Sequence, residues 1–444
     1  MAATVIDWTN AYLGRIQRPA RAPADSVAER LAREVGEGRL PFLNLPFWDE
    51  LKPELDRLKP ELGRYEHMLV LGIGGSALGA RALQKSFFPQ QDLPGHQGPW
   101  LWIADNVDAH SLEAFFTRLP AEKTLVVVIS KSGGTVETIS QYILAKEWLQ
   151  EKLGGGYKDH LLLITDASKG FLREEAAAMA AKSLPVPDNL GGRYSALSAV
   201  GLVPAAFMGL DCDALVQGAR DVNKALYSSD AAAVADHPAF RLAQWCAGLM
   251  SQDYSELIFF CYIPAWAAYK DWFRQLWAES LGKDGKGSMP LGAVGVTDQH
   301  SVNQMFLDGP RNKACLLLTC GELPPGRAFP DGLPDAFPYL RGKRFGELIH
   351  AEALGAQMAL VKNGVPLVEF KAGDESPYAA GALMGLLEAA TLLTGWMIDV
   401  NPLDQPAVEL GKRLAKARLG AEGLAEEKAD LQAFLGGERD VQKI

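Results

Sequence analysis

The sequence predicts an α/β protein with two doubly wound parallel sheets that are wrapped by additional helices. The first observation is that short, continuous apolar runs alternate with stretches of helical spacing. The second is that each run ends in a polar turn, and that the alternation occurs twice along the chain, on either side of a mostly helical segment at 198–254. Strands that are apolar at every position are buried on both faces, as they are in parallel sheets covered by helices.

The first series of predicted strands follows about 60 N-terminal residues that we expect to be helical. Each strand is a β-rich apolar run, and each precedes a polar turn and a helix-like stretch. The predicted strands are Met68–Ile73, Trp100–Asp105, Thr124–Ser130 and His160–Asp166.

The second series begins after residue 254 and contains fewer recognisable runs. Its predicted strands are Leu257–Ile263, Ala314–Cys320 and Pro366–Ala372; its predicted helices are 265–280, 347–364, 377–399 and 406–419. We therefore predict four regions: an N-terminal helical segment 1–60, α/β domains 61–212 and 213–400, and a C-terminal helical segment 401–444.

Length and composition fit this organisation and exclude several classes of protein. A chain of 444 residues is long enough for two large domains or about three smaller ones. It is 48% apolar and 22% charged, which excludes disordered and fibrous proteins. The formal net charge of −10 argues against general binding of nucleic acid or anionic membranes.

The cysteines and the apolar segments bear on the cellular compartment. The five cysteines are an odd number without a CxxC pair, so we expect reduced core thiols. The N-terminus lacks the apolar core of a signal peptide. The longest nearly apolar run, Leu257–Tyr269, is 13 residues long and contains Pro264, too short to span a bilayer. We expect a cytoplasmic protein.

A glycine-rich loop follows the first predicted strand. In GIGGSALG (Gly72–Gly79), Gly75 and Ser76 open a helix, where free backbone N–H groups favour an anion. A dinucleotide fingerprint is one alternative: Asp105 ends the next strand as such a site requires, but Ala77 replaces the third glycine. A tight structural turn is the other.

A second loop makes a phosphate site the stronger interpretation. SKSGGTVET (Ser130–Thr138) also follows a strand and combines hydroxyl groups with a lysine. Serine and threonine at a helix start are more often caps than ligands, and Thr135 could be both. The spacing is not that of a Walker P-loop. The candidate phosphate-binding residues of this loop are Ser130, Lys131, Ser132, Thr135 and Thr138.

With these two loops, the sequence resembles the glucose-6-phosphate isomerase family, and most closely its shorter bacterial members. Further segments with the family's motifs follow in the family's order and extend the resemblance over nearly the whole chain: Gly191–Leu202, Trp277–Gly287, Thr297–Pro310 and Asn401–Ala415. The resemblance implies two sugar-isomerase (SIS) domains and the interconversion of glucose 6-phosphate and fructose 6-phosphate through an enediolate.

The resemblance assigns the proton transfer to Glu279, which matches the family's catalytic glutamate and would act as the base. Gln275 lies four residues earlier on the same helix face, where it would bind substrate or orient Glu279. Arg193 matches the arginine that stabilises the enediolate charge. A structural salt bridge is the alternative role for Arg193.

The resemblance assigns ring opening to His300 and Lys412. His300 matches a histidine that, in the family's dimers, reaches the active site of the neighbouring subunit, which implies a homodimer. Gln405 matches a substrate-contact glutamine and lies two helical turns before Lys412. His350 is the one serious alternative to His300, although its helical setting favours a structural role.

The same reasoning gives expectations about cofactors, partners and competing functions. No His, Cys or Asp cluster has metal-ligand spacing, so we expect no metal, and an enediolate mechanism needs no cofactor. A sugar-phosphate-binding regulator and a nucleotide-dependent oxidoreductase are the alternatives; the first would lack the catalytic set. The main departure from the family is Gly134, where a threonine is common. We expect this departure to have a modest effect on phosphate contact.

Overall fold

The computed structural model of this chain describes residues 4–13, 16, 18, 24–228 and 230–442. In these residues ten strands form two five-stranded sheets, and helices cover them. The predicted α/β class with parallel sheets is confirmed. The strands are β1 (Val5–Asp7), β2 (His67–Leu71), β3 (Trp100–Ala104), β4 (Thr124–Ser130), β5 (Leu161–Asp166), β6 (Lys182–Val186), β7 (Glu256–Cys261), β8 (Met289–Val294), β9 (Lys313–Cys320) and β10 (Leu367–Ala372).

The helices alternate with the strands and fill the segment between the two sheets. Short 3₁₀ turns, named below where they matter, accompany them. The α-helices are α1 (Asp25–Gly36), α2 (Pro41–Asn44), α3 (Trp48–Leu62), α4 (Leu78–Phe87), α5 (Ala109–Arg118), α6 (Val136–Leu153), α7 (Phe171–Met179), α8 (Ala199–Phe207), α9 (Cys212–Asn223), α10 (Ala231–Asp236), α11 (Pro238–Met250), α12 (Tyr269–Leu281), α13 (Asn303–Asp308), α14 (Phe345–Lys362), α15 (Pro377–Met397), α16 (Glu409–Arg418) and α17 (Ala425–Gly436).

The first sheet is entirely parallel, in the order β3-β2-β4-β5-β6. His67 pairs with Trp100 on one side and Thr124 on the other, so β2 lies between β3 and β4. All seven residues of β4 are buried, as its unbroken apolar sequence predicts. The chain leaves β2 first towards β3 and then crosses to β4, and this reversal places the sheet's topological switch point between β2 and β4.

The second sheet has the order β1-β10-β9-β7-β8 and is parallel except for one edge. There β1 runs antiparallel to β10, with Ile6 opposite Phe370. From β7 the chain goes first to β8 and then to β9 on the other side. The second sheet therefore has a switch point of its own, between β7 and β9.

Three strands, β1, β6 and β8, were not predicted from the sequence. The expectation of a helical N-terminal segment is wrong at Val5–Asp7, a strand too short to show a period. β6 and β8 contain Pro185 and Pro290, which cannot donate to a strand ladder, and both are edge strands, where proline is tolerated.

The long helix α15 forms the centre of the helical layer. Its glycines permit very close packing on α9: an added Cβ at Gly381 would lie 1.8 Å from the carbonyl oxygen of Leu215. Among the residues described, α15 is the one helix that is long and apolar enough to cross a membrane. However, 83% of its most apolar 18-residue stretch is buried within the protein. α15 has 21 residues and so exceeds the 13-residue apolar run noted in the sequence. It did not appear there as one long apolar run because Glu388 interrupts it.

The cysteines and the compact units complete the fold. All five cysteines are free and buried, as expected. The chain divides into two compact units: Met1–Pro402, which contains both sheets, and Leu403–Ile444, which contains α16 and α17. The domain boundaries predicted at residues 60, 212 and 400 stay a prediction.

Candidate active site

The two predicted phosphate loops lie at the switch point of the first sheet. The first loop follows β2 and forms a 3₁₀ turn at Gly74–Ser76 before α4. The second follows β4 and leads into α6. Because β2 and β4 are parallel neighbours, their carboxyl ends present both loops at the same edge of the sheet.

The first loop packs directly against the backbone that carries Arg193. A Cβ added at Gly75 would lie 2.3 Å from the carbonyl carbon of Gly192, a distance that only glycine permits. At Gly74, with φ of +57°, an added Cβ would lie 2.9 Å from Nε2 of Gln275. Gly74 and Gly75 thus allow the Arg193 segment and the Gln275 side chain to approach the loop closely.

Arg193 is a buried cation with several acceptors. It is 2% exposed and belongs to a 3₁₀ turn, Gly192–Tyr194, that follows β6. Its Nε donates to Ser280 Oγ at 2.8 Å, and its Nη2 donates to the carbonyl oxygen of Pro402 at 2.7 Å. Its Nη1 lies 3.3 Å from Glu279 Oε2. These bonds hold the guanidinium group in one orientation.

Glu279 lies between Arg193 and Gln275. It occupies the last turn of α12, and its Oε1 accepts a 3.0 Å hydrogen bond from Nε2 of Gln275, one turn earlier. The predicted same-face pairing of these two residues is therefore observed. The Glu279 side chain stays 32% exposed, whereas that of Arg193 is 1% exposed. One carboxylate is thus oriented from two sides and still accessible.

Two residues that were assigned no role from the sequence support this arrangement. Tyr194 is buried, its hydroxyl lies 3.0 Å from Ser280 Oγ, and its ring stacks on Phe42 at 4.2 Å. Burial raises the pKa of Tyr194 to about 12, so its hydroxyl remains protonated. Ser280 contacts both Arg193 and Tyr194. Both residues directly follow predicted site residues, Glu279 and Arg193, and this adjacency is the one signal that could have found them.

The second loop gathers three hydroxyl groups into one hydrogen-bonded cluster. Thr135 Oγ1 lies 3.1 Å from Ser130 Oγ and 3.3 Å from Ser132 Oγ. The backbone N–H of Gly134 donates to Ser132 Oγ at 3.3 Å. Thr135 occupies the N-cap position of α6 but makes no side-chain cap bond, so its hydroxyl serves the cluster.

Lys131 and Thr138 are less available than their neighbours. The Lys131 ammonium group donates to the carbonyl oxygen of Asp188 at 2.5 Å, and partial burial lowers its pKa. Thr138 lies in the first turn of α6, where its hydroxyl is buried and without a partner in the described residues. Both residues therefore belong to the base of the loop.

His300 lies on an exposed 3₁₀ turn, Thr297–His300, after β8. Asp298 anchors this turn by accepting from the backbone N–H of Val294 at 2.7 Å. Gln299 anchors it from the other side by donating to the Tyr262 hydroxyl at 2.6 Å. In the described residues no hydrogen bond or ion pair joins His300 to Glu279. His350, the alternative histidine, is exposed on α14.

Lys412 and Gln405 belong to the C-terminal unit. Lys412 lies on α16, where its Nζ donates to Glu409 Oε1 at 2.8 Å. Gln405 immediately precedes a 3₁₀ turn at Pro406–Val408. Their predicted contribution to the site stays a prediction.

Two alternative uses of the site find no support in the side chains. Asp105, the acid that a dinucleotide site would offer to a ribose, accepts from Arg81 Nε at 3.1 Å and Nη2 at 2.9 Å. Over the residues the structure describes, no group of three or more His, Cys, Asp and Glu side chains could hold a metal ion.

A glycine-rich loop of the first sheet lies beside an oriented carboxylate on the helix after β7, an arrangement that suits a sugar-phosphate isomerase, and similar proteins agree with that class. Residues 61–320 match the family model described as phosphoglucose isomerase. The chain belongs to the phosphoglucose isomerase family.

Individual relatives extend the similarity over nearly the whole chain. A glucose-6-phosphate isomerase of Rubrobacter xylanophilus is 40% identical over 80% of this chain and 82% of its own length. One of Carboxydothermus hydrogenoformans is 32% identical over 97% of both chains. A crystal structure of a hypothetical protein from Thermus thermophilus is 33% identical, with a TM-score of 0.82 over 89% of this chain and 94% of that one.

Proposed function

We propose that this protein reversibly converts glucose 6-phosphate into fructose 6-phosphate, using Glu279 as the base. The observation that carries this proposal is the Glu279 carboxylate, which is held between Arg193 and Gln275 and remains accessible. Membership of the phosphoglucose isomerase family supports the substrate pair and the reaction.

Proton transfer is the step that Glu279 and Arg193 perform. In the open-chain aldose, Glu279 removes the proton from C2, and the electron pair forms the C1–C2 double bond of an enediolate. The charge on the enediolate oxygen is stabilised by Arg193, whose orientation costs nothing at the moment of reaction because it is already fixed. Glu279 then returns the proton to C1, and the hydroxyl proton on the C2 oxygen passes to the C1 oxygen, so that C1 carries a hydroxyl group and C2 becomes the carbonyl of the ketose.

The phosphate is anchored by the two loops of the first sheet. Gly75 and Ser76 supply the first loop, and Ser130, Ser132 and Thr135 supply the hydroxyl cluster of the second. Hydroxyl and backbone donors bind an anion without needing a metal. Lys131 and Thr138 complete the second loop.

Ring opening requires an acid and a base other than the residues that transfer the carbon-bound proton. We assign it to His300 and Lys412, with Gln405 as a substrate contact. The exposed, anchored turn of His300 suits delivery to a neighbouring subunit, so we propose a homodimer in which each subunit completes its partner's site. We propose that the enzyme acts in the cytoplasm and needs no cofactor.

Proton NMR in D₂O tests this function on the purified chain. With fructose 6-phosphate alone, we expect glucose 6-phosphate carrying deuterium at C2, because the proton held by Glu279 exchanges with solvent. Saturable binding without product would overturn the isomerase assignment and leave a sugar-phosphate sensor.

A matched pair of variants tests the role of Glu279. We expect Glu279→Gln to lower turnover by roughly 10²–10⁴-fold, the usual contribution of a general base, while sugar-phosphate binding is retained. Glu113→Gln, an exposed glutamate on α5, is the control and should keep normal turnover. Near-normal turnover of Glu279→Gln would require another base.

A further inference from the structure

The second sheet has a switch point equivalent to the one at which the first sheet carries the predicted phosphate loops. Ligands of open parallel sheets bind where the chain reverses its direction of crossing, at the carboxyl ends of the strands. In the first sheet this point lies between β2 and β4, where both phosphate loops are found. In the second sheet it lies between β7 and β9.

A cleft lies beside that second switch point, at the carboxyl ends of β9 and β10 and under α14. Its cavity volume is about 320 Å³, at the small end of the roughly 300–1,000 Å³ range of ligand pockets. Tyr262, directly after β7, and Thr319, near the end of β9, line it together with residues of β10 and of α14.

The sheet face that forms the floor of this cleft changes from apolar to polar towards the carboxyl edge. Residues two apart on a strand share a face. On β9 the face runs from Leu317 to Thr319, and on β10 it runs from Leu367 to Glu369 and Lys371. Leu317 and Leu367 are buried in the apolar core shared with α14. The polar residues begin where that core ends and the cleft begins.

Several polar side chains of the cleft are held by hydrogen bonds but retain the capacity to form more of them. Glu369 accepts from Thr319 Oγ1 at 2.5 Å through one oxygen and from Gln357 Nε2 at 3.1 Å through the other. Each carboxylate oxygen keeps further acceptor capacity. Lys371 and His350 also line the cleft, and in the described part of the chain neither side chain has a hydrogen-bond partner.

These groups differ from those of a phosphate site. No hydroxyl cluster or glycine-rich helix start follows β7 or β9, where the chain reads Tyr-Ile-Pro-Ala and Gly-Glu-Leu-Pro. A carboxylate at the floor would repel a phosphate dianion. Carboxylate and amide acceptors beside ammonium and imidazole groups, with the Tyr262 and Leu354 side chains as a partly apolar wall, suit a neutral molecule rich in hydroxyl groups.

We propose that the cleft between β7, β9, β10 and α14 binds an unphosphorylated polyol or sugar, with Glu369 as its central acceptor and Lys371 at its rim. This site is separate from the one at Glu279. It adjoins the turn of His300 through the hydrogen bond from Gln299 to Tyr262.

Saturation-transfer NMR with sorbitol tests the proposal on the full chain, in an equilibrated mixture of glucose 6-phosphate and fructose 6-phosphate that occupies the active site. We expect saturation transfer to sorbitol at millimolar concentrations. Lys371→Met and Glu369→Leu should each raise the sorbitol Kd by about tenfold, the loss of one hydrogen bond to a charged group. Lys362→Met, exposed at the end of α14, is the matched control and should leave the Kd unchanged.

The remaining outcomes would overturn the proposal. If sorbitol shows no saturation transfer, or shows it only when the sugar phosphates are absent, then the protein has no sorbitol site outside the active site. Displacement of sorbitol by inorganic phosphate would show an anion site. A Kd unchanged in Lys371→Met would exclude this cleft; since Lys371 is exposed, that variant decides the result even if Glu369→Leu does not fold.

Discussion

Ser280 connects Arg193, which we propose stabilises the enediolate, to the protein interior, because one hydroxyl contacts both Arg193 and the buried Tyr194. It occupies the position next to Glu279 but points into the buried side of α12. We regard Ser280 as a positioning residue for Arg193. It does not contact the substrate in the proposed mechanism.

Ser280→Ala should therefore lower kcat more than it changes KM. Without the Oγ acceptor, Arg193 loses a hydrogen bond that fixes its orientation, and we expect kcat to fall about tenfold. Ser280→Thr keeps the hydroxyl and should restore much of the loss. Steady-state kinetics measures both. A purely structural role would instead lower the melting temperature and leave the kcat of the folded enzyme unchanged.

Gly134 stands where the resemblance to the family leads us to expect a threonine, and the structure leaves room for one. An added Cβ would approach nothing closer than the carbonyl oxygen of Ser132, at 4.0 Å, and the φ angle of Gly134 is not in the left-handed region. We expect Gly134→Thr to leave kcat similar and to lower KM, because one more hydroxyl joins the cluster. A large fall in kcat would show that the glycine backbone itself is required.

At the scale of elements, α15 contains a buried carboxyl group that has no hydrogen-bond or ion-pair partner among the described residues. Glu388 is fully buried, and neither oxygen has a partner in the described residues. Burial raises its pKa well above the usual 4.5, so it is held neutral in the folded protein.

Glu388→Gln should make the enzyme more stable at neutral pH than the wild type. In wild type the unfolded chain releases this proton above pH 4.5 while the folded chain retains it, so stability is lost as pH rises from 4.5 towards the raised pKa of the folded state. The variant has no such proton to release. Denaturant unfolding at pH 4 and pH 8 should show a stability difference that grows with pH. An equal difference at both values would contradict this assignment.

Which strands could be predicted follows from how each is buried. β4 is buried at every position, and its bounds were predicted correctly. A strand that is covered on both faces has an unbroken apolar sequence, which is easy to recognise. β6 and β8 lie at sheet edges, where one side is free of pairing and a proline does no damage. Their sequences therefore lack the signal that marks a central strand.

The site shows a similar division at the residue level. Glu279 and Gln275 could be paired from their spacing on one helix, and the structure shows them bonded. The contacts of Arg193 with Ser280 and Pro402 join segments that are far apart in the chain, and no local pattern encodes such contacts. Arg193 could be identified from its sequence motif, but the residues that orient its guanidinium group could be identified only from the folded structure.

At the scale of the whole molecule, the proposed exchange of His300 between subunits predicts complementation. In a dimer of Glu279→Gln with His300→Ala, one site would contain both intact residues and the other would contain neither. Co-expression with random pairing should then restore roughly a quarter of wild-type activity, although each variant alone is nearly inactive. Verified heterodimers without activity would place both residues in the same subunit's site.

The proposed catalytic pair, Arg193 and Glu279, also joins the two sheets, because Arg193 follows β6 of the first sheet and Glu279 lies on the helix that follows β7 of the second. Neither half of the chain contains both members. Enzymatic activity is therefore a reporter of docking between the halves. In a refolding experiment, circular dichroism should recover as each sheet forms, and isomerase activity should return later, when the two halves meet.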